Sequence, residues 1–379
     1  MSFKITRAFD LVVLTITYIV LAGLLLSYLT PYIAPDKFWP FAFFGLAYPF
    51  LLLGAIVFLI YWSVMRKWIS LGILAVILIG YNRITGTIGI NTSARTEPAD
   101  TAGAIKVLTY NIHFFRGPGN APEGTTSKAI QTFLSAENPD IVCFQEFWTH
   151  EEKGVSTIDS IKHVLKVNEY YYRANGEKEH TRQNGTGMVI YSRYPIVAQQ
   201  WIKLSEVHNQ CLVTDVKKGN SIFRIYNVHF ESIGLSPEEL SRLKATDIGE
   251  KQKIWITRSI GSSLKHAFIA RSEQVRKVKE HAGKSPYPYI IAGDFNDTPV
   301  SYAVHEISEG LKNTFVEKGK GFCRTYNGKY PNFQIDYVLV SPDFDVLSYK
   351  VGKVKYSDHF PVITELKIKE QAKKLAVRK

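Results

Sequence analysis

The sequence predicts an α/β (α+β) chain: a two-sheet β-sandwich flanked by helices, preceded by an N-terminal transmembrane helical region. Three observations carry this reading. About the first 97 of the 379 residues fall into long uncharged apolar blocks, while the remainder has the composition of a globular domain able to bury a full core. In that remainder, short β-branched apolar runs alternate with helical patterns. Six of those runs end in carboxylates, carboxamides or imidazoles, which stability alone does not call for.

From the N-terminus, no charge lies between Asp10 and Asp36, and Leu11 to Leu29 is almost wholly apolar, the length of a bilayer-crossing helix. A secretory signal peptide competes, but the run is long and has no convincing small-residue cleavage site before Pro31. A second uncharged block, Phe38 to Met65, carries Trp39, Tyr48, Tyr61 and Trp62 where an interface suits them. The third, Trp68 to Asn82, is short; it spans only if Arg83 snorkels and the helix runs on into Ile84 to Ile90. Spans are therefore expected near residues 9–30, 41–63 and 68–84 of a transmembrane region 1–90. Their number decides the topology. Lys4, Arg7, Arg66 and Lys67 mark the cytoplasmic side by the positive-inside rule, so three spans place the globular part outside the cytoplasm and two leave it inside. The expectation is an integral inner- or plasma-membrane protein with its globular domain on the extracytoplasmic side.

Residues 91–104 are small, polar and aperiodic, a linker. The globular domain is expected over 105–368, with a basic tail at 369–379. Helical patterns cover Thr126 to Ala136, Ile158 to Val167 and Arg271 to Ala282. An insertion from Glu231 to Ala270 carries two more, Leu235 to Leu243 and Ile254 to Phe268. It interleaves Arg242, Lys244, Lys251, Lys253, Arg258 and Lys265 with Ile254, Trp255, Ile256, Leu264 and Phe268. A solvated helical face accounts for this; a substrate or membrane-surface lip is the sharper reading. Net charge is +12, with +4 from the first 98 residues, an excess that draws the domain towards phosphates or anionic headgroups. Three cysteines without CxxC spacing give no disulfide framework. No internal repeat and no separate nucleic-acid module stands out.

The candidate site lies at the strand ends. Tyr289 to Ala292 reads as a buried strand broken at Gly293, after which come Asp294, Phe295, Asn296 and Asp297. Alone this is also an Asp/Asn turn. The pattern repeats, however. Val107 to Tyr110 runs into Asn111, Asp140 to Gln145 into Glu146, and Phe223 to Tyr226 into Asn227 and His229. Ile335 leads to Asp336 ahead of Tyr337 to Val340, and Lys355 and Tyr356 lead to Ser357, Asp358 and His359. A hard divalent cation such as Mg²⁺ or Mn²⁺ takes oxygen ligands, for which Glu146 and Asp358 offer carboxylates and Asn111 an amide oxygen. Without cysteine in the set, zinc fits less well. Asp336 and His359 form a carboxylate–imidazole pair suited to proton transfer or charge stabilisation. Asn227 and His229 share a strand face by the two-residue period, with His229 placed to donate to a phosphate oxygen. A buried ion pair for Glu146 and a structural histidine for His229 are the plainer alternatives.

In order, Tyr110-Asn111, Gln145-Glu146, Asn227-Val228-His229, Gly293-Asp294-Phe295-Asn296, Ile335-Asp336-Tyr337 and Ser357-Asp358-His359 resemble the endonuclease/exonuclease/phosphatase superfamily, with its deoxyribonuclease-like fold. That superfamily includes pancreatic deoxyribonuclease, apurinic endonucleases, neutral sphingomyelinases and inositol-polyphosphate phosphatases. The resemblance covers about residues 105 to 368. It implies a Mg²⁺-dependent phosphoric ester hydrolase. Glu146 would be the main metal ligand, completed or adjoined by Asn111 and Asp358. Asp294 would orient or deprotonate the attacking water, and Asn296 would hold it or a phosphate oxygen. His229 would stabilise the transition state, and His359, paired with Asp336, would act as base or phosphate contact. The base stays open between Asp294 and His359. Asn184, in the segment Arg182 to Gly187, matches a family phosphate contact or is part of a plain glycine turn; Asn227 is a second candidate phosphate contact. The superfamily's scaffold does not name the leaving group. Membrane attachment favours a lipid, headgroup or small phosphoester, with membrane lipids as partners and no protein partner evident. A nuclease acting on DNA or RNA at the membrane is the first alternative, and an inactive membrane scaffold or binding module the second.

Overall fold

Runs as continuously apolar as these need cover on both faces, and in the computed structural model they have it. The structure describes residues 2–91, 103–118, 121–152, 154–175, 184–205, 209–234, 249–328 and 333–370. One sheet is ordered β14 (Phe344–Val351), β15 (Val362–Ile368), β2 (Ile105–Asn111), β3 (Ile141–Glu152), β6 (Asn184–Ser192) and β5 (Glu169–Ala174), with β4 (Val155–Ser156) attached to β3. The second is ordered β11 (Lys312–Asn313), β13 (Asp336–Val340), β10 (Tyr289–Asp294), β9 (Ser221–His229), β8 (Gln210–Lys218) and β7 (Ile196–Lys203). Between them lies a core drawn from both: Val107, Ile141, Cys143 and Ile190 against Phe223, Ile225, Ile290 and Val338. Helices Ser127–Glu137 and Thr157–Leu165 cover the outer face of the first sheet, and Glu250–Gly283 with Tyr302–Ser308 that of the second.

This topology gathers chemistry at one edge. The centre of each sheet is a parallel pair, β2 with β3 and β9 with β10, so the C-terminal ends of all four open on the same side. β13 runs antiparallel to β10, which brings its first residue, Asp336, beside the last residue of β10, Asp294; that residue is also in register with His229. β15 runs antiparallel to β2, so the residues just ahead of it, Ser357 to His359, arrive at the same edge.

Two helices are long and apolar enough to cross a membrane, Phe9–Tyr32 and Pro40–Val64. They pack through small residues: Gly23 lies against Leu51, and Gly54 against Val20. The third apolar segment is not the single helix expected. It breaks at Gly80 into Ile69–Ile79 and Tyr81–Thr87, bent by 62°. The Tyr28 ring occupies the space a side chain at Gly80 would need, and Arg83 donates to the Tyr32 hydroxyl at 2.7 Å. Residues Ile88–Ile90, expected to prolong the helix, form β1 and pair with β12 (Lys320–Phe322) of the globular part.

Two further expectations change. Ile254 to Phe268 and Arg271 to Ala282 belong to one continuous 34-residue helix, Glu250–Gly283, because nothing between them breaks the pattern. Lys355 and Tyr356 are not a strand: around them Phe360 donates to the Thr325 carbonyl and Asn327 to that of Asp358, irregular bonds that replace a ladder. Leu235 to Leu243, nearly all of the linker and most of the basic tail lie outside the described residues.

Candidate active site

Local backbone features turn the strand ends towards one another. At Gly293 (φ 150°) a Cβ would collide with the Val228 carbonyl, so glycine lets β9 and β10 close up just before Asp294. β3 carries a register shift between Phe144 and Phe147, with Glu146 left-handed (φ 48°); such bulges re-aim side chains beside active sites. The carboxylate of Glu146 is thereby set among groups from the second sheet.

Those groups converge on one atom. Asp294 Oδ2 accepts a hydrogen bond from Asn111 Nδ2 at 3.0 Å and lies 3.7 Å from His359 Nε2 and 3.8 Å from His229 Nε2. Its other oxygen accepts the Asn296 N–H at 2.8 Å. Glu146 Oε1 stands 3.1 Å from Asn111 Nδ2 and 3.6 Å from His229 Nε2. Behind His359, Asp336 holds Nδ1 at 3.0 and 3.2 Å. Glu146, Asp294, His229, His359, Asp336 and Asn111 thus form one cluster.

Burial pushes the Asp294 pKa up to about 6, with His359 and His229 opposing. For His359, burial pulls downward, but Asp336 and Asp294 outweigh it and raise the pKa well above the ordinary value. The imidazole is therefore a cation beside a carboxylate. His229 Nε2 is buried with no hydrogen-bond partner among the described residues, beyond hydrogen-bond reach of the Glu146 and Asp294 carboxylates.

Other expected residues stand differently. Asn227 is fully buried between the sheets: its Nδ2 donates to the Phe144 and Val189 carbonyls at 3.0 and 3.1 Å, and its Oδ1 accepts from Gln145 at 2.6 Å. Every polar atom is engaged, so it ties sheet to sheet and faces no phosphate. Asn111 presents its nitrogen, not the expected oxygen, to the two carboxylates, because Oδ1 accepts the His113 N–H at 3.1 Å. Asn296 Nδ2 donates to the Phe230 carbonyl at 3.0 Å and joins the two turns that carry His229 and Asp294. Asp358 does not bond to Glu146 or Asp294; its Oδ1 lies 3.6 Å from His113 Nδ1 and accepts from Ser357 Oγ at 3.2 Å. Asn184 opens β6 in register with His150.

Three contributors gave no sequence signal. Tyr326 sets its ring edge-on to His359 at 5.4 Å. Thr325 Oγ1 accepts the N–H groups of Ile335 and Asp336 and fixes the head of β13. Arg271, fully buried, donates to Asp297 Oδ2 at 2.9 Å and to the Glu231 carbonyl at 2.8 Å, clamping the same two turns from behind.

The donor set around Asn111 suits a hard divalent cation: carboxylate oxygens of Glu146 and Asp294 share one amide nitrogen, and the free thiols Cys143, Cys211 and Cys323 are buried elsewhere. Asp294, Asp336 and His359 also bring ligand atoms within 4.8 Å of one another. His359 Nδ1 is taken by Asp336, and the direction of the His359 shift favours the protonated ring, which has no lone pair for a cation.

Residues 108–359 match the Endonuclease/Exonuclease/phosphatase family, and residues 10–87 match a domain of unknown function. No curated protein sequence matches the chain. Among solved structures, an endonuclease/exonuclease/phosphatase from Beutenbergia cavernae is similar at 19% identity and TM-score 0.51, covering 70% of this chain and 72% of that one. A family protein from Bacteroides thetaiotaomicron aligns at 20% identity and TM-score 0.50 over 69% and 97%, and one from Bacteroides vulgatus at 20% and 0.50 over 70% and 99%. With two thirds of its length matched and the same fold, the chain belongs to the endonuclease/exonuclease/phosphatase family.

Proposed function

We propose that this protein is a membrane-anchored, divalent-cation-dependent phosphoesterase whose substrate is a lipid, headgroup or other small phosphoester. Family members are hydrolases acting on phosphoesters. The observation that carries the reading is the convergence of Asn111, His229 and His359 nitrogens on Asp294 Oδ2, with Asp336 behind His359. Glu146 would hold a divalent cation, which when bound would supply charge compensation for the phosphate.

The chain's own residues do the rest. Asp294, with its pKa raised to about 6, is an ionised base at neutral pH and accepts a proton from water at Oδ2. The water oxygen attacks phosphorus in line, and the P–O ester bond breaks with its electron pair passing to the ester oxygen, which leaves and takes a proton from solvent. His229 Nε2, without a hydrogen-bond partner among the described residues, donates to a phosphate oxygen as charge develops. The cationic His359, oriented by Asp336, stabilises both that charge and the Asp294 carboxylate. Asn111 holds Glu146 and Asp294 in fixed relation.

Membrane attachment supports a lipid-proximal substrate. The bend at Gly80 returns the third apolar segment to the end of the first, where Arg83 meets Tyr32. That return supports three crossings and, with Arg66 and Lys67 cytoplasmic, an extracytoplasmic catalytic domain.

The test is a substrate panel of phospholipids, inositol phosphates, sugar phosphates and DNA, with Mg²⁺ or Mn²⁺, on the full-length protein in detergent. Turnover of a lipid or small phosphoester, abolished by chelator, is expected. Turnover confined to DNA would move the assignment to a nuclease, and no turnover of any substrate would leave the scaffold reading.

A further inference from the structure

A second cavity lies apart from the candidate catalytic cleft. It is an open pocket of about 720 Å³ between the edge strand β14 and the segment 315–324, and none of Glu146, Asp294, His229, Asp336 or His359 lines it. The wall between the two is thin. Phe360, next in the chain after His359, lines the cavity, as does Arg324, while Tyr326 two residues on packs against His359.

Its chemistry is one-sided. Lys106, Lys318, Lys320, Arg324, Lys350 and Lys353 line it against two acids, Glu137 and Glu365. Both acids are already engaged: Lys350 Nζ lies 2.6 Å from Glu137, and Lys106 Nζ lies 4.0 Å from Glu365. Lys318, Lys320 and Lys353 make no ion pair or side-chain hydrogen bond among the described residues. Cations gathered around a cavity without counter-charge repel one another, and an anion between them removes that cost. Phe315, Tyr349 and Phe360 supply apolar wall beside the charge.

Its position is equally specific. Phe322, on the rim, is 55% exposed and pairs with Ile88 of β1, which directly follows the third apolar segment. Ile88, Ile90 and Val316 are exposed around it. Phe322 and Cys323 also face the crevice between the domain and the membrane helices, beside Tyr48 and Thr87. A basic cavity with an apolar lip therefore opens where the domain meets the membrane helices.

We propose that this cavity is a second, non-catalytic site that binds a phosphate-bearing amphiphile, the headgroup of an anionic lipid, with the phosphate among Lys318, Lys320 and Lys353 and the apolar part against Phe322. It does not depend on the chain being a phosphoesterase. Short-chain phosphatidylglycerol, short-chain phosphatidylcholine and inorganic pyrophosphate are titrated into the full-length protein in neutral detergent, with binding read by calorimetry. Glu146→Gln protein serves as a background in which the catalytic centre is impaired. Phosphatidylglycerol should bind there as in the parent, and the triple variant Lys318→Gln/Lys320→Gln/Lys353→Gln should bind it at least about tenfold more weakly. The triple variant with Glu in place of Gln should lose more, with unchanged thermal unfolding confirming its fold. Pyrophosphate binding as tight as phosphatidylglycerol, and lost in the same variants, supports the anion site with a soluble phosphate as its ligand. Phosphatidylcholine binding as tight as phosphatidylglycerol, or unaltered affinity in both triple variants, overturns the proposal.

Discussion

Asp294 has no cation in hydrogen-bond contact, so burial decides its acid strength and carries the pKa to about 6. Because the base works only when ionised, the rate must fall as pH drops through that value. The expected outcome is a kcat/KM profile on the full-length protein with an acid limb no higher than about pH 6, since a bound cation favours the carboxylate and lowers it further. His359 opposes the rise, so the residual activity of His359→Asn should show that limb moved to higher pH. An acid limb left unmoved by that substitution would remove Asp294 as base. Asn227 makes the opposite case. Its motif neighbour His229 reaches the site, yet Asn227 on the same strand face lies deeper between the sheets and bonds to Phe144, Val189 and Gln145. Asn227→Ala leaves buried carbonyls without donors, each costing about 1–3 kcal/mol. A clear drop in thermal stability with KM unchanged is expected, and a raised KM at full stability would restore the phosphate role. Residue types at strand ends were legible from the sequence; how deep each sits was not, because depth depends on the packing of the two sheets.

At the scale of elements, the strands were the most legible feature, since strands covered on both faces announce themselves as apolar runs of fixed length. The helix Glu250–Gly283 was not. Its basic face looked solvated, and no local pattern distinguishes a buried arginine from its exposed neighbours. Arg271 nevertheless joins Asp297 and the Glu231 carbonyl, and thus the turns following Asp294 and His229. The next residue, Ser272, donates to Asp36 at 3.1 Å, and Arg276, just over a turn further on, grips the same carboxylate at 3.0 and 3.1 Å and holds its pKa below the ordinary value. The helix connects the catalytic turns to the loop between the first two spans. Removing Arg271 strands Asp297 as an unpaired buried charge, a loss of about 3–5 kcal/mol. Arg271→Met should therefore unfold the domain at markedly lower denaturant, and adding Asp297→Asn should recover part of the loss. A single variant as stable as the parent would show that the clamp is dispensable.

For the molecule as a whole, the contacts between the apolar helices and the domain bear on a number of crossings that length and composition leave at two or three. The chain meets the domain at the end of the first span, through Tyr32 on His305 and Asp36 on Arg276, and again at the start of the second, through Phe43 on Phe268. It meets it a third time after the third segment, through the pairing of β1 with β12 and the bonds from Asn91 to the Val316 and Gly319 carbonyls. Between the second and third meetings the chain runs out along Pro40–Val64 to Arg66 and Lys67 and comes back along Ile69–Thr87. Under the proposed topology, a path that leaves and returns to one side, entered from a first span that begins on the other, makes three crossings, the last of them bent at Gly80. Cys143, Cys211 and Cys323 are buried, so an introduced cysteine reports its own side alone. With a membrane-impermeant maleimide on intact cells, or on spheroplasts where an outer membrane intervenes, Lys217→Cys on the domain should label at once. Lys67→Cys, in the turn after the second span, should label only after permeabilisation. The reverse pattern would place the catalytic domain in the cytoplasm, and labelling of both without permeabilisation would mean that Pro40–Val64 does not cross the membrane.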